Sequence, residues 1–60
     1  MSVRPSHPSK AWEVGAIARA AHEVSGKVPL SANPYTLLWQ RKDWERGWRW
    51  EDEQIAAGVR

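Results

Sequence analysis

Four cations, Arg41, Lys42, Arg46 and Arg49, fall within nine consecutive positions, and Trp39, Trp44, Trp48 and Trp50 are threaded among them. Positive side chains hold phosphate oxygens, and an Arg fork does so bidentately. Indole rings offer flat faces on which bases stack. The same two residue types are also enriched at the energetic centres of protein interfaces. Residues 1–50 carry eight basic and four acidic groups, a balance of +4, whereas the last ten carry Glu51, Asp52 and Glu53 against Arg60, a balance of −2. A basic body with an acidic end can lie along a polyanion, although on charge alone it equally describes an ordinary solvated surface.

Other chemistry is poorly supplied. His7 and His22 are the only imidazoles, far apart, with no carboxylate at a ligand spacing. The chain has no cysteine, which excludes a disulfide framework and thiolate metal sites. Gly15, Gly26, Gly47 and Gly58 are scattered and form no phosphate-cradling loop. The carboxylates Asp43, Glu45, Glu51, Asp52 and Glu53 sit in a stretch that reads as an exposed helix, and no serine or threonine has a nucleophile's neighbours. An enzyme needs a concave pocket that excludes water, and 60 residues hardly build one. The expectation is a protein that is not an enzyme, with no cofactor and no metal.

The elements that position these residues are read from periodicity. Residues 1–9, with Pro5, Pro8 and three serines, read as a flexible N-terminal arm. Ser9 is a candidate N-cap. From Lys10 to Ser25 the residues Val14, Ile17, Ala18, Ala21 and Val24 recur at steps of three and four, one apolar helical stripe, and Gly26 suits the position just past a helix end. Residues 26–34 form a linker from which Val28 and Leu30 fold back on the helices. Asn33-Pro34 signals a second helix start, with Thr36 as the alternative cap. That helix runs from about Tyr35 or Leu37 to about Ala56, with Leu37, Trp44, Trp48 and Ile55 on one face.

The fold class expected is all-α: two antiparallel helices forming a helical hairpin over residues 10–57, with the N-terminal arm 1–9 before it and a C-terminal tail 58–60 after it. The expected core is Val14, Ile17, Ala18, Ala21, Leu37 or Leu38, Trp44 and Trp48, with Tyr35 closing one end. Trp39 and Trp50 then form a second stripe on the opposite face, and Trp12 points away from the first helix's apolar stripe. Either the arm or the linker covers these rings, or they face a partner. A homodimer, or a complex with a larger partner, is expected through Trp39 and Trp50 or through Trp12. No apolar run approaches the roughly 20 residues that span a bilayer, and no signal-peptide core is evident, so a cytoplasmic protein without a membrane partner is expected.

The stretch NPYTLLWQRKDWERGW, with Asn33-Pro34-Tyr35 followed by Arg41, Trp44, Gly47 and Trp48, resembles the ribosome modulation factor family, small bacterial and phage two-helix proteins with a PY turn before an R-x-x-W-x-x-G-W helix. Upstream, Ala11, Gly15 and Ala18 resemble that family's first helix. The likeness covers about residues 11–50. It implies a non-enzymatic hibernation-type factor that binds the small ribosomal subunit and its rRNA. Asn33, Pro34, Tyr35, Trp44, Gly47 and Trp48 would define the fold, and Arg41 and Arg49 match basic family positions. With Lys42 and Arg46 they are the candidates for rRNA phosphates. The alternative is a small phage- or mobile-element-type regulator that inhibits a host protein complex through the Trp-rich face.

Overall fold

The computed structural model describes residues 4–59; residues 1–3 of the expected arm and Arg60 of the expected tail lie outside them. Two helices, α1 (Lys10–Ser25) and α2 (Leu38–Ala56), pack on each other as a helical hairpin, joined by a linker with one short 3₁₀ turn at Leu30–Ala32. No strand occurs among the described residues.

α1 begins and ends where its sequence signals place it. The Ser9 hydroxyl accepts the Trp12 backbone N–H at 3.1 Å, and Gly26 takes φ 69° and donates its N–H to the His22 carbonyl at 2.7 Å. α2 starts later than Asn33-Pro34 suggests. Its N-cap residue is Leu37, which supplies no side-chain cap. Asn33 instead turns the chain before the helix: its Oδ1 accepts the Tyr35 N–H at 3.0 Å and its Nδ2 donates to the Arg41 carbonyl at 3.0 Å. Asn33 is extended, with ψ 118°, and both polar atoms of its side chain are taken up by this turn, so none caps a helix begun at Pro34. At the other end the helix passes through Glu51-Asp52-Glu53 without fraying. Gly58 at φ 78° donates to Ile55 O at 3.0 Å, and Val59 donates to Gln54 O at 2.9 Å. That pair of bonds is a Schellman closure, by which Gly58 and Val59 of the expected tail cap the end of α2.

The core differs from the expected stripe. In α1 the buried residues are Ala11, Trp12, Gly15 and Arg19; in α2 they are Trp44, Gly47, Glu51 and Gln54. Ile17 is 69% exposed and Val24 90%, Ala21, Leu37 and Leu38 are exposed, and Val14, Ala18 and Trp48 are half-buried. Of the expected core only Trp44, at 1%, is fully enclosed. The decisive feature is a repeat. Trp12-Glu13-Val14-Gly15 and Trp44-Glu45-Arg46-Gly47 present the same Trp-Glu-x-Gly tetrad 32 positions apart, and the two tetrads pack on each other. The place a Cβ on Gly15 would take is filled by the Trp44 carbonyl, and the place a Cβ on Gly47 would take is filled by the Trp12 carbonyl. Glycine lets each backbone touch the other, and that contact fixes which face of α1 turns inward. Two buried indoles, each removing roughly 150–250 Å² from water, outweigh a stripe of alanine and valine.

The quasi-equivalence extends one turn further. Arg19 follows Gly15 by four positions and Glu51 follows Gly47 by four, and both are buried. The Cα envelope measures 32 × 28 × 13 Å. Its thin dimension matches two helices stacked about 8 Å apart with a radius of about 2.3 Å added on each side. The buried stripes face each other, so the outward stripes of α1 and α2 look in opposite directions.

Candidate nucleic-acid interface

The outward side of α2 carries Leu38, Lys42, Arg49, Glu53 and Ala56 along its crest, with Trp39 and Arg46 on one flank, all of them exposed. Residues spaced by three, four and seven share a helix face, which is why these seven fall together. Trp39 is 57% exposed. Arg46 Nη1 reaches Asp43 Oδ1 at 3.0 Å, and Arg49 Nη2 lies 4.0 Å from Glu45 Oε1. Both pairs are open to water, where such contacts contribute about 0–1 kcal/mol.

Asp43 is itself oriented from behind: its Oδ2 accepts the Ser9 hydroxyl proton at 2.9 Å, tying the start of α1 to the basic face. Arg41 stands apart from the other three cations. Its Nη1 donates to the Tyr35 carbonyl at 2.7 Å, while its own carbonyl holds Asn33. The Arg41 side chain thus latches the Asn33-Pro34-Tyr35 turn onto the first turn of α2.

The remaining aromatic rings point elsewhere. Trp12 is buried, with its ring centroid 5.4 Å from that of Trp50 and the planes tilted by 52°. Arg4, from the arm, lies over Trp12 at 5.6 Å and pairs with Glu13 at 3.2 Å. Of the three tryptophans expected on a partner surface, therefore, Trp39 stands in solvent, Trp50 is half-buried against Trp12, and Trp12 belongs to the core. A groove of about 400 Å³ runs beside this pair, lined by Trp12, Trp50, Ala16, Ala20, Ile17 and Glu51 among others.

On the other flank Trp48 Nε1 donates to the Val28 carbonyl at 3.1 Å, and the Val28 N–H donates to His22 Nδ1 at 3.2 Å. One side chain from each helix thereby grips both polar groups of a single linker residue. Arg19 lies over the Trp48 ring at 5.2 Å and donates to Asp52 at 2.8 Å and to Glu23 at 3.1 Å. The hydrogen bond to Asp52 raises the Arg19 pKa above its ordinary value and outweighs the opposing effect of burial. The group stays charged under all ordinary conditions. The acidic run Glu51-Asp52-Glu53 is divided among three roles: Glu51 is buried, Asp52 holds Arg19, and Glu53 is exposed on the outward side.

Sequence reasoning gave Arg19 no role. The signal that marks it is its place in the repeat, where it occupies the same position after Gly15 that Glu51 occupies after Gly47. Among the described residues no three His, Asp or Glu side chains gather as a metal would require, and no helix is long and apolar enough to cross a membrane.

Comparison with protein-family models, with curated proteins and with solved structures finds no match to this chain. The resemblance to the ribosome modulation factor family therefore rests on the motif residues. Four of them act within the molecule: Arg41 latches the turn, Trp44 fills the centre, Gly47 admits the Trp12 carbonyl, and Trp48 holds the linker.

Proposed function

We propose that this protein is a non-enzymatic, cytoplasmic, ribosome-associated factor of the hibernation type that binds ribosomal RNA of the small subunit through the outward side of α2. The observation that carries the reading is the gathering of Trp39, Lys42, Arg46 and Arg49 on one exposed helix side. The three cations contact phosphates, and Trp39 stacks a splayed base, a contact that contributes about 1–3 kcal/mol. Arg41 supports this surface indirectly by fixing the turn that precedes it. The likeness of residues 33–48 to a ribosome-binding family supplies the class of RNA.

Binding of labelled small-subunit rRNA fragments, followed by fluorescence anisotropy across a salt series, tests the reading. Three phosphate contacts should give a log–log salt slope of about −2 to −3. The Arg46→Glu, Arg49→Glu double variant should keep its helicity and lose co-sedimentation with ribosomes. Equal binding by that variant, or no binding by the wild type at low salt, overturns the proposal.

A second reading, a small regulator that binds a host protein complex, is favoured by a different observation. The outward side of α1 is apolar, with Ile17 and Val24 standing in solvent. A complex that survives high salt and nuclease treatment would support it against the first.

A further inference from the structure

We propose that His22 is an acid-sensitive latch: as a neutral imidazole it holds the linker to the end of α1, and on taking up a proton it releases Val28. The inference does not rest on the RNA reading, whose residues stand on the outward side of α2.

The direction of one hydrogen bond carries it. The Val28 N–H donates to His22 Nδ1 at 3.2 Å. An imidazole nitrogen accepts only while it bears no proton, so the latched ring is neutral and carries its hydrogen on Nε2. Protonation makes Nδ1 a donor, and two N–H groups then point at each other. No rotation of the ring restores the bond, because a charged imidazole has no acceptor nitrogen left. Imidazole is also the side chain that ordinarily changes charge between about pH 8 and 5.

The surroundings confine the change to the linker. His22 lies in the last turn of α1, where the helix dipole favours a cation, so a charged ring is compatible with the helix. The backbone bond that closes α1, from the Gly26 N–H to the His22 carbonyl at 2.7 Å, does not involve the ring. The imidazole centroid is 6.1 Å from that of Trp48, and the Arg19 guanidinium lies over the same indole at 5.2 Å. Protonation thus adds a second cation beside one aromatic ring. The carboxylates of this flank, Glu23 of α1 and Asp52 of α2, are both hydrogen-bonded to Arg19. Lys27, the charged neighbour of Val28 in the linker, is exposed. The other half of the grip is indifferent to acid: Trp48 Nε1 donates to the Val28 carbonyl at 3.1 Å, and an indole N–H is a donor only. Val28 is therefore tied to both helices when His22 is neutral and to α2 alone when it is charged.

Hydrogen exchange of the Val28 amide, followed by NMR on the full chain and expressed relative to an unstructured peptide at the same pH, tests the proposal. Wild-type protection should fall about two- to tenfold between about pH 7.5 and about pH 5.5, the range that one lost hydrogen bond supports, with circular dichroism unchanged. Ordinary carboxylates stay charged over that interval. The only other imidazole is His7, and His7→Ala should show the same fall. His22→Asn offers an amide oxygen that takes up no proton in this range, and its protection should be equal at both pH values. His22→Ala should be unprotected at both. A second readout uses the same bond: the held N–H belongs to the Lys27–Val28 peptide, which trypsin cleaves. At about pH 8 cleavage there should be about two- to tenfold faster in His22→Ala than in the wild type. Wild-type protection that does not change with pH, a fall that survives in His22→Ala, or a fall abolished by His7→Ala overturns the proposal.

Discussion

The two helices turn the same tetrad inward and opposite chemistries outward. Inside, Trp12 and Gly15 of α1 meet Trp44 and Gly47 of α2 in a near-symmetric contact. Outside, α1 shows Ile17, Ala20, Ala21 and Val24, whereas α2 shows Lys42, Arg46 and Arg49 beside Trp39. A two-helix chain has one inner face per helix. Because the inner contact is made by indoles and glycines, the rest of each helix is left to determine what the molecule meets. The apolar stripe of α1, which by periodicity alone looks like the core, is a surface. The tryptophan-bearing side of α2, which looks wholly exposed, is divided between Trp39 in solvent and Trp50 against Trp12.

The largest expected effect comes from breaking what the helices share. Gly15→Ala and Gly47→Ala each drive a methyl group into a carbonyl of the other backbone. Neither backbone can move without separating the helices, and a chain this short holds only about 3–5 kcal/mol of stability. Both variants should lose cooperative thermal unfolding in circular dichroism, and to a similar degree, because the contact is reciprocal. A large loss from one and none from the other would show that the quasi-symmetry is only geometric. Trp44→Ala should cost about 3–5 kcal/mol, the range for a buried aromatic. Trp48→Ala should cost less, since that ring is half-buried and mainly holds Val28.

Next come changes to the outward side of α2, which should affect binding and leave folding alone. Arg46→Glu with Arg49→Glu removes two exposed ion pairs, so denaturant midpoints should move by no more than about 0.5 kcal/mol while RNA binding is lost. Trp39→Ala should weaken RNA binding by about 1–3 kcal/mol through lost stacking, and Trp39→Phe should recover part of it. Full RNA affinity in Trp39→Ala would reduce that side to electrostatics alone.

Local signals were legible where the chain obeys local rules. Ser9, Gly26 and the length of α1 follow from capping and periodicity, and the two-helix fold follows from the linker's prolines. The inner face was not legible from hydrophobic periodicity, because that measure scores Val14, Ile17 and Val24 as core and glycine as a gap. Here the glycines are the closest point of contact, and a spaced repeat of Trp-Glu-x-Gly was the only sequence sign of it. The bond that Arg41 makes within the molecule is not legible in the sequence either. A cation among cations reads as a phosphate ligand, and only the geometry shows its Nη1 donating to the Tyr35 carbonyl. Lys42, Arg46 and Arg49 follow one another at helical spacing and stand exposed on one side of α2.

The smallest expected effect is also the sharpest test of the comparison. If the stripe on α1 is a surface, Ile17→Ser and Val24→Ser should leave the isolated fold unchanged. Isoleucine, valine and serine have nearly equal helix propensities, so the substitutions carry little backbone penalty. Both side chains are mostly in water already, at 69% and 90% exposure, so little buried area is lost. Unfolding measured well below any dimer's dissociation constant should shift by less than about 0.5 kcal/mol. A loss above about 1.5 kcal/mol in dilute solution would place Ile17 and Val24 in the core after all, and the distinction between the two outward sides would fail with it.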